Sequence, residues 1–150
     1  MDDPYELRRF EVAQAHGYEA AESELRAGRK TTHWMWFVFP QVAGLGRSAM
    51  ARRYAISSLE EARAYLAHPV LGARLLACAR ILTELRGRTA RKVLGPIDAI
   101  KLRSSMTLFA RAAPDEPLFQ RVLDQYFDGD ADDATDRLLG DAIDGGPLSD

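Results

Sequence analysis

The chain has 150 residues, 47% hydrophobic and 28% charged, with 20 basic and 22 acidic side chains. A domain of this length buries about two-thirds of its unfolded surface and needs no staple. The near-balanced charge argues against broad nucleic-acid binding, which wants a basic surface, and the lone Cys78 excludes an internal disulfide or a cysteine-built metal site.

Asp2, Asp3 and Glu6 stand where a secretory leader would carry positive charge, and no run approaches the roughly 18 apolar residues of a membrane span. The expected setting is therefore the cytoplasm, with no membrane partner. No cofactor is expected.

The chain reads as helices. Asp3-Pro4 opens the first, with Asp3 as cap and Pro4 at the first helical position, and Gly17 ends it. A second runs from Tyr18 to Ala27, with Gly28 as its stop. Then comes an aromatic segment, His33-Trp34-Met35-Trp36-Phe37-Val38-Phe39-Pro40-Gln41, which holds both tryptophans and two of the six phenylalanines. It is apolar from Trp34 to Phe39, so periodicity does not decide its state. With no second strand to pair with, it reads as a buried helical turn running into an extended piece, because Phe39 precedes proline. A minor hairpin through residues 33–41 is the alternative. The loop Val42-Ala43-Gly44-Leu45-Gly46 follows, its glycines a weak phosphate-loop signal.

Ser48 caps a short helix through Tyr54. Ser58-Leu59-Glu60-Glu61 has the form of a capping box. That helix stops before His68-Pro69, where His68 reads as a cap, and Pro69 opens the longest helix, ending at Gly87 with the stripe Val70, Leu71, Leu75, Cys78, Leu82 and Leu85. Thr89 caps a turn ending at Gly95. The next helix spans Pro96 to Arg111, and another carries Leu118, Val122, Leu123, Tyr126 and Phe127. Asp133 caps a last helix, Ala134 to Leu139. The fold class is thus an all-α, compact multi-helix domain over 1–144, with a flexible tail at 145–150.

The 96–111 helix is the richest in chemistry. At about 100° per residue, Asp98, Lys101, Ser104 and Ser105 share one sector, and most of the remaining circumference is apolar (Ala99, Ile100, Leu102, Met106, Phe109). A helix apolar over most of its surface belongs at the centre of a fold. Its polar stripe then either satisfies itself, as a local Asp98–Lys101 pair, or lines a cleft where Lys101 meets an anion and a serine hydroxyl orients it. His33 is an acid–base candidate beside the tryptophans, or a cap or core histidine. Arg26, Arg29, Lys30 and Arg74 can add a positive field near the indoles, a combination suited to a nucleotide; the plain alternative is a solvated basic loop beside core tryptophans.

Asp128-Gly129-Asp130-Ala131-Asp132-Asp133 resembles a calcium loop in its alternating acids. It lacks the required glycine at 133 and glutamate at 139, so it reads as a solvated acidic loop, and no metal site is expected.

Three stretches together carry a family resemblance: Gly28-Arg29-Lys30 leading into the aromatic segment, His68-Pro69-Val70-Leu71-Gly72-Ala73-Arg74-Leu75, and Lys101-Leu102-Arg103-Ser104-Ser105-Met106-Thr107-Leu108-Phe109. From Tyr5 to Leu139 the chain resembles a bacterial domain-of-unknown-function family sometimes mislabelled "calpastatin". The resemblance implies a compact helical domain and no established activity. A disordered protease inhibitor would not carry this capped, aromatic-rich pattern. A more remote similarity, through Met106-Thr107-Leu108-Phe109, Leu118 and Leu123, is to NADAR glycohydrolase-type proteins, which act on N-glycosidic or ADP-ribosyl bonds. No catalytic residue carries over.

The expected function is binding, with hydrolysis as an extension, of a small anionic ligand such as a nucleotide or ADP-ribose derivative in a cleft beside the 96–111 helix. Lys30, Arg74 and Lys101 would hold the anion, Trp34 and Trp36 would wall the pocket, Ser104 and Ser105 would orient the ligand, and Asp98 or His33 would move a proton. The alternative is a protein-interaction or homo-oligomeric module, with the aromatic segment as an exposed patch.

Overall fold

The computed structural model describes residues 2–145, with side chains to 140. Among the described residues it is all helical: α1 (Arg8–Ala27), α2 (Met35–Val38), α3 (Ala49–Arg53), α4 (Leu59–Ala67), α5 (Leu71–Glu84), α6 (Ala90–Leu94), α7 (Pro96–Ala112), α8 (Pro117–Phe127) and α9 (Asp133–Gly145). The expected tail falls largely outside the described residues, and α9 runs past the Leu139 end that the sequence suggests.

Helix α7 is the hub, packed against α4, α6, α8 and α9. Leu102, Met106, Leu108 and Phe109 are wholly buried on it. Phe109 stacks at a tilt between Tyr65 of α4 and Phe119 of α8, with ring centroids 5.5 and 5.7 Å away. Such offset aromatic contacts add to the burial energy.

The expected break at Gly17 does not occur, and α1 runs as one helix of 20 residues. Gly17 is there for space: a Cβ at this position would lie 2.9 Å from the Phe37 ring. The helix also starts later than Pro4, at Arg8, after Glu6 takes a left-handed φ of 53°. Asp3 still caps it from outside, accepting from the backbone N–H of Leu7 and Arg8 at 2.8 and 3.0 Å. Those two bonds hold its carboxyl below the usual carboxylate range.

The aromatic segment forms the expected helical turn, α2, and leaves it at Phe39 (φ −124°, ψ 75°). No hairpin forms. The one pairing nearby is a parallel bridge between Val42 and Ile56, with Ala43 N donating to Ile56 O and Ile56 N donating to Gln41 O, both at 2.8 Å. A parallel bridge needs a crossover between its two sides, and here α3 supplies it.

The caps at Ser48, Ser58 and Thr89 each accept the backbone N–H three residues on. The capping box at Ser58 is altered: Glu61 accepts from the N–H and hydroxyl of Ser57 instead of closing back on Ser58, because Arg9 of α1 holds its other oxygen at 3.0 Å. His68 caps α5 through Nδ1, which accepts from Val70 and Leu71 N–H, while its Nε2 meets Glu11 at 3.1 Å. Helix α5 has 14 residues and is shorter than α1 and α7, starting at Leu71 rather than Pro69. The last helix is capped by Asp132, not Asp133: Asp132 Oδ2 accepts from Thr135 N–H at 3.0 Å.

Among the described residues no single helix is long and apolar enough to cross a membrane; α4 and α5 would suffice only as a pair bent by 90°, and both pack into the core.

Candidate functional site

The site is built where the end of α1, the aromatic segment and the start of α7 converge. Gly28 ends α1 in the left-handed region (φ 75°), and its N–H closes on Leu25 O. Lys30 N then donates to Val93 O at 2.6 Å, tying the strand of chain after α1 to α6. Gly95 joins α6 to α7, so the first turn of α7 is delivered beside Lys30.

A clamp holds this connection. Glu24 accepts from Thr31 N–H (2.7 Å), Thr32 N–H (2.9 Å), the Thr32 hydroxyl (2.6 Å) and the Trp34 indole N–H (3.0 Å). Burial alone would raise the Glu24 carboxyl, but these four donors outweigh it and hold it down at about 2. Trp34 itself is 1% exposed, so its indole needs a partner and Glu24 is that partner.

Lys30 Nζ lies 2.9 Å from Asp98 Oδ2 and Lys101 Nζ lies 3.4 Å from Asp98 Oδ1. One carboxylate is shared by two ammonium groups, so the trio keeps one uncompensated positive charge. Each ammonium also sits over an indole, Lys30 at 5.3 Å from the Trp34 centroid and Lys101 at 4.7 Å from that of Trp36. Each such contact contributes about 0.5–1 kcal/mol at a partly exposed site. The local pair expected at a spacing of three is therefore real, but it is half of a larger group whose other half comes from 68 positions earlier in the chain.

Beside Lys101 lies a groove of about 300 Å³ lined by Gln41, Leu45, Gly46, Ile97, Ile100, Lys101, Ser104, Asp132 and Ala134. Its rim is apolar, with Ile97 and Ile100 70% and 66% exposed. Ile100 belongs to the side of α7 expected to be covered; here one turn of an otherwise central helix is left open. The polar side consists of Lys101, Ser104, Gln41 and Asp132. Arg103 orders the acidic loop by donating to the backbone carbonyls of Asp130 and Ala131, both at 2.9 Å.

The expected site residues separate on this geometry. Lys30, Trp34, Trp36, Asp98 and Lys101 come together in one contact group, and Lys101 and Ser104 line the groove. His33 is exposed and does not line that groove. Arg74 belongs to another neighbourhood, stacked over Tyr18 at 4.6 Å and donating to Gln14 Oε1. There, burial of Cys78 pushes its thiol up to about 12, which leaves it unreactive. Ser105 is wholly buried, and its hydroxyl has no hydrogen-bond partner among the described residues. Ser105→Ala is therefore expected to leave stability unchanged or raise it by up to about 1 kcal/mol in urea denaturation. A loss larger than that would show that the hydroxyl has a partner after all.

Sequence reasoning missed Glu24, Gln41, Asp132, Ile97 and Ile100. The available signal was the pair of isoleucines three apart flanking the polar stripe. Nothing local marked Glu24, whose donors lie seven to ten residues away.

Fold and site together define a small all-α domain with an open groove beside its central helix and a two-lysine, one-carboxylate group at the groove's edge. The chain belongs to the DUF1810 family, described as a protein of unknown function, whose pattern matches residues 4–139. It is similar to the conserved hypothetical protein Rv1873 from Mycobacterium tuberculosis, a crystal structure with a TM-score of 0.91 and 52% identity over 92% of this chain and 99% of that one. No curated protein matches this chain.

Proposed function

We propose that the groove beside α7 binds a small anionic ligand of the nucleotide or ADP-ribose class. The observation that carries this reading is the Lys30–Asp98–Lys101 group: two ammonium groups share one carboxylate, and Lys101 also lines the groove. The Lys101 ammonium, which lines the groove, suits a phosphate. The open apolar rim of Ile97, Ile100 and Leu45 suits the flat face of a base. Trp34 stands behind Lys30 as a fixed support, and partly buried Trp36 lies beneath Lys101. Hydrolysis would require a proton-transfer group at the ligand; Asp98 lies 3.4 Å from Lys101 but does not itself line the groove.

Both tryptophans lie under the two lysines, so fluorescence reports on the site directly. Titration with nucleotides, NAD and ADP-ribose is expected to give a saturable change in emission. The melting temperature should rise, as ligand binding to the folded state requires. Lys101→Ala should weaken binding at least tenfold with the fold intact, whereas Arg74→Ala should not. The reading fails if none of these ligands produces a Lys101-dependent response.

The second reading, an interaction module, rests on the exposed Ile97 and Ile100 rather than on the aromatic segment, because Phe39 is wholly buried. It predicts a molecular mass that rises with protein concentration and is insensitive to nucleotides.

A further inference from the structure

We infer that Asp132 is a specificity determinant that reads hydroxyl groups, so that the ligand of the groove is a phosphorylated sugar rather than a bare anion. This rests on the anionic-ligand reading above.

Asp132 is held more firmly than a solvated loop acid. Its N–H donates to the hydroxyl of Thr107, wholly buried on α7, at 2.9 Å. Its Oδ2 accepts three donors: the Thr135 hydroxyl at 2.6 Å, the Thr135 N–H at 3.0 Å and the Ser104 hydroxyl at 3.3 Å. Among the described residues its Oδ1 accepts none, and the residue lines the groove together with Lys101 and Gln41.

Capping α9 needs only one carboxylate oxygen, and Oδ2 supplies it. The other, Oδ1, has no donor among the described residues, and the residue that carries it lines the groove. Ser104, buried behind it, supports this placement: its hydroxyl donates to Ile100 O or Asp132 Oδ2. A carboxylate oxygen without a donor calls for a ligand that brings one. A cationic donor would be opposed by Lys101, which lines the same groove, whereas a neutral hydroxyl is not. A phosphate for Lys101, hydroxyls for Asp132 and an apolar face for Ile97 and Ile100 are together the chemistry of a ribonucleotide.

The test compares adenosine 5′-monophosphate, its 2′,3′-dideoxy analogue and inorganic phosphate by calorimetric titration of the wild type, Asp132→Asn and Lys101→Ala. Asp132→Asn keeps an oxygen for the α9 cap and turns an NH2 donor toward the groove, so its circular dichroism and unliganded melting temperature should match the wild type. The wild type is expected to prefer the ribonucleotide about tenfold or more, as suits hydrogen bonds to a charged acceptor. Asp132→Asn should lose that preference and bind the dideoxy analogue at least as tightly as the wild type does, because a negative charge in the phosphate's groove is gone. Equal affinity of the wild type for the two nucleotides, or a preference that survives in Asp132→Asn, overturns the inference while leaving the anion reading standing. If neither nucleotide nor phosphate shows Lys101-dependent binding, the anion reading falls and takes this inference with it.

Discussion

Gly72→Ala is expected to destabilise the protein by about 3 kcal/mol or more. Gly72 is the second residue of α5, just after the right-angle corner between α4 and α5. A Cβ there would fall on the carbonyl oxygen of Leu66, and within 2.8 Å of that residue's carbonyl carbon. The obstacle is backbone, so no rotamer change relieves it, and the two helices must separate. By helix propensity alone the substitution would gain about 1 kcal/mol. The two effects have opposite sign, and the close contact is the larger, since overpacking of this kind costs about 1–3 kcal/mol even where side chains can give. The midpoint of urea unfolding decides. An unchanged or raised midpoint would mean that the corner is loose.

Removal of the Glu24 carboxylate is expected to have the next largest effect. Glu24→Ala strips the acceptor from four donors and leaves the indole N–H of a buried tryptophan unpaired, a loss of about 2–4 kcal/mol. It also frees the segment that places Lys30 against Asp98, so ligand binding should weaken with stability. The carboxyl has an ordinary value of 4.5 and is held at about 2 in the folded protein. Its contribution is thus complete above pH 4.5 and disappears as the pH falls toward 2. For a partly solvated group the linked contribution is about 1–2 kcal/mol after screening. Glu24→Gln should flatten this acid limb of the stability curve while retaining part of the clamp. If the wild type and Glu24→Gln lose stability in parallel between pH 5 and pH 2.5, Glu24 is not the titrating clamp.

Short-range features were legible in the residues themselves. The caps at Ser48, Ser58, Thr89 and His68 stand where hydroxyl and imidazole acceptors precede apolar periodicity, and Gly28 ends α1 as expected. The 96–111 helix was legible from its breadth of apolar surface. Gly17 was misleading because a glycine inside a helix and a glycine after one look alike in sequence. Only the Phe37 ring, brought from 20 residues away, tells them apart. The capping box at Ser58 was altered for a similar reason, as Arg9 competes for Glu61 from another helix.

The Asp98–Lys101 pair was visible because a spacing of three puts both on one helix face. Its conversion into a two-cation group was not, because Lys30 arrives through the turn at Gly28 and the anchor to Val93. Asp132 looked like one more solvated acid in a run of them, and its rigid placement depends on Thr107 from α7.

The sequence alone determined the all-α class, many helix ends and the Asp98–Lys101 pair of the central helix. All of these rest on hydrogen bonds and side-chain spacings that span a few residues. The tertiary structure decided which part of that helix stays open at Ile97 and Ile100, that Arg74 lies away from the lysines, and that Trp34 is support and not surface. Those outcomes depend on which elements cover which faces, and coverage is settled by packing between segments that lie tens of residues apart.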